Sequence, residues 1–403
     1  MKFALFGADE ESLSLAQAAV QAGHEVVWAG DVAVARDGWD LPWLPAEDLA
    51  DQWEALLDHH TCAGVMVGRG LSPPEVRTDQ LNQLIKNGIA VLATFPLVDS
   101  VLSFYEIDMV RCESKAVLHH FNPLAQPLPA FLQCARWVAD GHPQLGQVEQ
   151  IIWHRPLVQR TREQALWHFA RDVELLGQVA GRLNRLGALG SPDEEATYAG
   201  LSVQLLGQSK IPVRWEVGPA QQSVLPRLML VAENGTLNVE FNETGQPICF
   251  AVDQQTEPIE PIDPYAMALN HFIEAIEGRE QATSTWPSAL HAMELADTIE
   301  ISLRRGRMID VHDQQLSEDL AFKGTMSAAG CGILMILPPL LLVGGWLAGL
   351  FGLPVAHYWP HVLLALLTAF LIFQTLPKLL LNSRPTDPTD DSNPASPQSK
   401  FND

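Results

Sequence analysis

The sequence predicts a doubly wound α/β domain with a parallel sheet, then an α+β domain, then a hydrophobic C-terminal hairpin. Three features carry that expectation: a strand, helix, strand opening, a later change to long strands, and an uncharged run near the C-terminus. KFALF (2–6) is an apolar strand, ESLSLAQAAVQAG (11–23) an amphipathic helix stopped at Gly23, and EVVWAGD (25–31) a strand closing on Asp31. AGVMVG (63–68) reads as the next strand, PEVRTDQLNQLIKNG (74–88) as a helix ending at Gly88, and IAVLATFP (89–96) as another strand. Such alternation implies right-handed crossovers in a parallel sheet. Its ligands sit beyond the carboxyl ends of the strands, which here are Gly7–Ser12, Asp31, Gly68–Ser72 and Thr94–Leu97.

After about residue 145 the texture changes. VEQIIWHRP (148–156) is a strand, and a helix runs through Trp167 to Ala180. RLMLVAENGTLNVEF (227–241) is a hairpin expected to turn at Asn234 and Gly235. The segments between Ala199 and Phe250 read as long strands of one mixed or antiparallel sheet, closed by helices YAMALNHFIEAIEG (265–278) and PSALHAMELADTIEISLRRG (287–306). The first domain is drawn at 1–122 and the second at 123–315.

Composition excludes several function classes. The 403 residues carry a formal charge of -23, which repels nucleic acid. Five scattered cysteines form no CxxC pair, so neither a disulfide framework nor a zinc site is expected. The N-terminus lacks the charge and apolar length of a signal peptide. Between Lys323 and Lys378 there is no Asp, Glu, Lys or Arg. About 20 apolar residues span a bilayer, so this run predicts transmembrane helices at 325–353 and 358–381, with a buried soluble hairpin as the alternative. Arg304, Arg305, Arg307 and Lys323 before the spans, and Lys378 and Arg384 after them, put both ends in the cytoplasm by the positive-inside rule. The protein is therefore expected in the cytoplasmic membrane. Spans without ionisable groups offer no transport path, and the Pro, Ser and Asp-rich tail at 385–403 is too polar to order itself.

The segments AGVMVGRGLSPPEVRTDQLNQLIKNGIAVLATFPL (63–97), YAMALNHFIEAIEG (265–278) and SALHAMELADTIEISLRRGRMIDV (288–311) occur in a telling order and spacing. Over Lys2 to His312 the chain resembles the glucose-fructose oxidoreductase / inositol dehydrogenase (Gfo/Idh/MocA) family. The resemblance implies a Rossmann-like NAD or NADP domain and a second domain with a large open sheet. It also implies chemistry on a sugar, polyol or related carbonyl compound at their seam, and self-association through the open sheet.

The motifs depart from that pattern. Of the family's G-x-G-x-x-G, Gly7 remains, while Asp9 and Ser12 replace the later glycines. Asp9, Glu10 and Glu11 set negative charge where a pyrophosphate must rest, and like charges about 4 Å apart repel by roughly 4 kcal/mol at an effective dielectric near 20. The stretch reads equally well as a helix cap. The cofactor candidates are Gly7, Ser12, Asp31 and Pro96, with Asp31 favouring NAD over NADP if anything binds. Where the family carries E-K-P, this chain has Thr94-Phe95-Pro96, and phenylalanine moves no proton. The family's D-x-G-x-H-x-x-D helix aligns Trp167 with its first Asp, Arg171 with its His and Glu174 with its last Asp. A shifted register brings in His168 and Asp172, spaced i and i+4, as either an acid-base pair or plain surface. His154, Arg155, Arg160, Arg162, His168 and Arg171 gather basic groups within eighteen positions. Arg155, Arg160, Arg162 and Arg171 suit an anionic ligand or merely neutralise nearby acids. The pairs His59-His60 and His119-His120 lack metal-ligand partners and are expected at the surface or in the core. Two functions stay open: a non-catalytic, membrane-anchored scaffold or ligand-binding protein, and an active NAD(P)-dependent oxidoreductase.

Overall fold

The computed structural model describes residues 1–32, 42–45, 47–58, 60–114, 116–190, 198–220, 225–242, 246–252, 255–279 and 285–311. Met1–Asp313 form one compact unit. The hairpin expected at 325–353 and 358–381 and the tail at 385–403 lie outside the described residues. Among the described residues no helix is long and apolar enough to cross a membrane.

The first half of the unit alternates β1 (Lys2–Phe6), α1 (Glu10–Gln21), β2 (Glu25–Gly30), β3 (Gly64–Val67), α2 (Pro74–Lys86), β4 (Val91–Thr94), α3 (Val101–Ser114) and β5 (Leu118–Phe121). The strands pair in parallel in the order β2-β1-β3-β4-β5. Strand order reverses between β1 and β3, so their loops meet at the switch point where open α/β sheets hold ligands. β3, β4 and β5 are buried at every position, as strands covered on both faces must be. Asp9 caps α1 and forms a capping box with Ser12. Gly23 and Gly88, both at positive φ, end α1 and α2 where the sequence predicts.

The second half contains α4 (Pro129–Asp140), β6 (Val148–Leu157), α5 (Arg162–Ala180), β7 (Leu183–Leu189), β8 (Ser202–Gly207), β9 (Val213–Pro219), β10 (Arg227–Ala232), β11 (Gly235–Phe241), β12 (Pro247–Val252), β13 (Gln255–Pro258), α6 (Pro264–Ile276), α7 (Trp286–Arg305) and β14 (Ile309–Asp310). They build a mixed sheet ordered β13-β12-β11-β10-β6-β9-β8-β7-β14. β6 and β9 run parallel and the other neighbours antiparallel. The hairpin turns at Glu233 and Asn234, one residue earlier than the sequence suggests, because Ala232 pairs with Gly235.

Ile151, Trp153, Arg155 and Leu157 of β6 are buried, and the alternate residues Gln150, Ile152, His154 and Pro156 are half-buried on the opposite face. α6 returns to the first half, where Phe272 packs against Phe3 with ring centroids 6.3 Å apart. Burying one such side chain is worth about 1.5–3 kcal/mol. α7 stacks Trp286 on Phe104 of α3 at 4.8 Å, so both halves share one core.

Candidate functional site

The candidate site is the crevice at the carboxyl ends of β1, β3 and β4, facing α5. Gly7 has φ +82°, and a Cβ there would lie 2.9 Å from the carbonyl carbon of Gly68. A Cβ at Gly68 would lie 2.7 Å from the Cβ of Ser12. The glycines therefore let two loops pack closely on each other. Ser12 itself is fully buried.

Asp9 sits at the centre of this packing. Its Oδ1 accepts the Ser12 N–H at 2.7 Å. Its Oδ2 accepts the Arg69 N–H and the Thr94 hydroxyl, each at 2.7 Å. Asp31, the ribose candidate, is equally occupied: it accepts the N–H groups of Leu71 at 3.0 Å and Ser72 at 3.3 Å and pairs with Arg77. Arg77 is buried, with its guanidinium 4.1 Å from the Phe6 ring centroid. Burial draws that guanidinium below its ordinary pKa, against the opposing pull of Asp31 and Asp9. The Pro96 carbonyl accepts the Arg69 Nε–H at 2.9 Å. The side chains nearest a dinucleotide's phosphate and ribose positions, Asp9, Ser12 and Asp31, are thus engaged within the chain.

Phe95 does not crowd the crevice. Its ring is 1 % exposed and turns inward, 5.8 Å from Phe104 and 5.3 Å from His120. The crevice is filled from the other side. Arg171 reaches from α5 to pair with Glu11 and lies 4.3 Å over the Trp167 ring, which Arg69 also approaches at 5.8 Å. Burial pushes the Glu11 carboxyl up to about 7, with Arg171 opposing and Asp9 and Glu10 adding to the rise.

The shifted-register candidates His168 and Asp172 do not pair, because α5 turns Asp172 into the core. Asp172 is fully buried, and its Oδ2 accepts the indole N–H groups of Trp153 and Trp215 and the Nε–H of Arg155, all at 2.8 Å. Burial, then the charges of Arg155 and Arg171, hold His168 down to about 2, so it stays neutral. The arginines do not converge on an anion either: Arg155 pairs with Asp172, Arg162 with Glu300 and Arg171 with Glu11. Arg160 is half-buried, and its carbonyl accepts the Tyr198 N–H at 2.7 Å.

Glu174 anchors a network that the sequence did not disclose. Its carboxylate meets His120 Nε2 at 2.7 Å, Asn122 Nδ2 at 2.8 Å and the Ser288 hydroxyl at 2.9 Å. Burial alone would raise its pKa, and the partners together, His120 foremost, bring it below the ordinary value. His120 lies in β5, a strand too short and polar to announce itself, and Asn122 directly follows it. A cavity of about 310 Å³ lies beside the seam, lined in part by Pro96, Asp99, Arg162, Trp167, Met293 and Glu300. Among the described residues no group of three or more His, Cys, Asp or Glu could hold a metal ion.

No family model matches the chain, and no curated protein matches it. Solved structures do. The myo-inositol dehydrogenase from Corynebacterium glutamicum is 17 % identical with a TM-score of 0.59, over 77 % of this chain and 99 % of that one. An aldose-aldose oxidoreductase from Caulobacter crescentus, complexed with glycerol, is 13 % identical with a TM-score of 0.61, over 77 % and 99 %. The WlbA dehydrogenase from Bordetella pertussis, in complex with NADH and UDP-GlcNAcA, is 14 % identical with a TM-score of 0.57, also over 77 % and 99 %. With its parallel sheet and its second, mixed sheet, this chain shares the Rossmann-like two-domain fold of these oxidoreductases.

Proposed function

We propose that the chain is a divergent, membrane-anchored member of the Gfo/Idh/MocA family that serves as a non-catalytic scaffold or ligand-binding protein. The observation that carries this reading is the state of Glu174. It aligns with the family's last Asp, yet it is 6 % exposed and already bound by His120, Asn122 and Ser288. A general acid or base needs a reachable lone pair or proton, and three partners already engage the Glu174 carboxylate. Phe95 at the lysine position and Arg171 at the histidine position are likewise withdrawn, one into the core and one onto Glu11.

The apolar segments 325–353 and 358–381 supply the anchor, with the folded unit and the tail in the cytoplasm. The open face of the nine-stranded sheet serves self-association. The competing reading is an active NAD(P)-dependent oxidoreductase on a sugar, polyol or related carbonyl compound, using Gly7, Ser12, Asp31 and Pro96 around the cofactor. Its support is the likeness in fold to a dehydrogenase solved with NADH. The full-length protein in mild detergent separates the two. Supplied with NAD or NADP and a panel of sugars and polyols, it should produce no absorbance change at 340 nm. Sustained turnover would establish the enzyme and refute the scaffold.

A further inference from the structure

Capping a helix takes one hydrogen bond from the cap side chain. Asp9 makes that bond to Ser12 N–H with Oδ1, and the duty ends there. Its Oδ2 nevertheless reaches two donors from other loops, Arg69 N–H at 2.7 Å and the Thr94 hydroxyl at 2.7 Å. These lie 60 and 85 residues away in sequence, at the ends of β3 and β4. Donors from the first turn of α1 and from the ends of β3 and β4 therefore point at one carboxylate, at the short distances of charge-assisted bonds. The crevice is where a doubly wound sheet offers its helix dipole and free N–H groups to an anion.

We infer that the Asp9 carboxylate is the resident anion of this crevice, occupying the place that a dinucleotide phosphate takes in a binding fold and so closing the site from within. The inference deepens the non-catalytic reading and rests on it. The glycine at position 7 is retained, so the cradle has not simply decayed; it has gained an occupant. Asp9 and an external phosphate exclude each other, because both need the same donors and both carry negative charge. Gly7 and Gly68 hold the occupant in place, since neither position has room for a Cβ that would let the loops part.

The test deletes the occupant and returns an anion. Asp9→Ser keeps an oxygen that can cap α1 and vacates the volume of the carboxylate; Asp9→Gly vacates more. Asp263→Gly is the control, because Asp263 caps α6 by accepting the Tyr265 N–H at 2.9 Å and, among the described residues, meets no donor from another element. Melting temperatures of the full-length proteins are measured against sodium formate and sodium phosphate, with sodium chloride at matched ionic strength.

Formate should raise the melting temperature of Asp9→Ser and Asp9→Gly saturably, by several degrees beyond chloride. Wild type and Asp263→Gly should not respond. Two results would overturn the inference: folded Asp9 variants as indifferent to formate as wild type, or wild type responding to phosphate as strongly as the variants. Neither outcome depends on turnover. A catalytically active wild type would defeat the proposed function, whereas a formate-blind Asp9→Ser would defeat this inference alone.

Discussion

The carboxylates of the crevice and those of α5 are satisfied in different ways. Asp9 and Asp31 are held mostly by backbone N–H groups of neighbouring loops, with a hydroxyl and a guanidinium added. Asp172 and Glu174 are held by side chains alone: two indoles, an arginine, a histidine, an asparagine and a serine. Backbone donors arrive with the loop geometry, and at the half-buried Asp9 a water or small anion can replace a missing partner. Side-chain donors in a core have no substitute, so loss of their acceptor strands each of them.

Asp172→Ala should therefore give the largest effect. It leaves a buried guanidinium and two indole N–H groups without an acceptor, a loss of about 3–5 kcal/mol by analogy with broken buried ion pairs. A urea titration reads this as a lowered midpoint, and a change below about 1 kcal/mol would mean that water enters the α5 core as readily as the crevice.

Glu11 supplies the next effect, and its sign is fixed by the direction of its shift. Its folded pKa, about 7, stands above the ordinary 4.5, so the native state holds the extra proton between those values. Stability from this group is fully present below about 4.5 and declines as pH rises toward 7, by on the order of 1–3 kcal/mol. Glu11→Gln should flatten that part of the stability profile. An unchanged slope would assign it to other groups and erase this distinction between rim and core.

The smallest effect belongs to Arg162→Ala. Its partner Glu300 is 20 % exposed and Arg162 is 46 % exposed, so the pair is a surface bridge worth under about 1 kcal/mol. A thermal shift of more than a few degrees would show that this arginine braces the neighbouring cavity.

Most of the fold was legible because its signals are local. Apolar runs mark β1, β3 and β4, and Gly23 and Gly88 stop helices where a left-handed residue is needed. β5 and α3 went unread, since LHHF is half polar and VLSFYEIDMVRCES has no clear apolar stripe. The position of the crevice was legible from the strand ends, but its contents were not. Nothing in the sequence near Asp9 names Arg69 or Thr94 as its donors, and Arg77 lies 46 residues from Asp31. Phe95 turns into the core instead of the crevice. Its burial against Phe104 and His120 depends on two elements that the sequence did not resolve.

Asp31 adopts φ +58°, a left-handed conformation that costs a non-glycine residue free energy, and it does so with Arg77 drawn beneath it against Phe6. This corner commits Asp31 to the chain's own packing. Glycines at 9 and 12 and a lysine at 95 would leave untouched the buried Arg77 cation that holds Asp31. Withdrawing Arg77 alone would strand that acid in the interior.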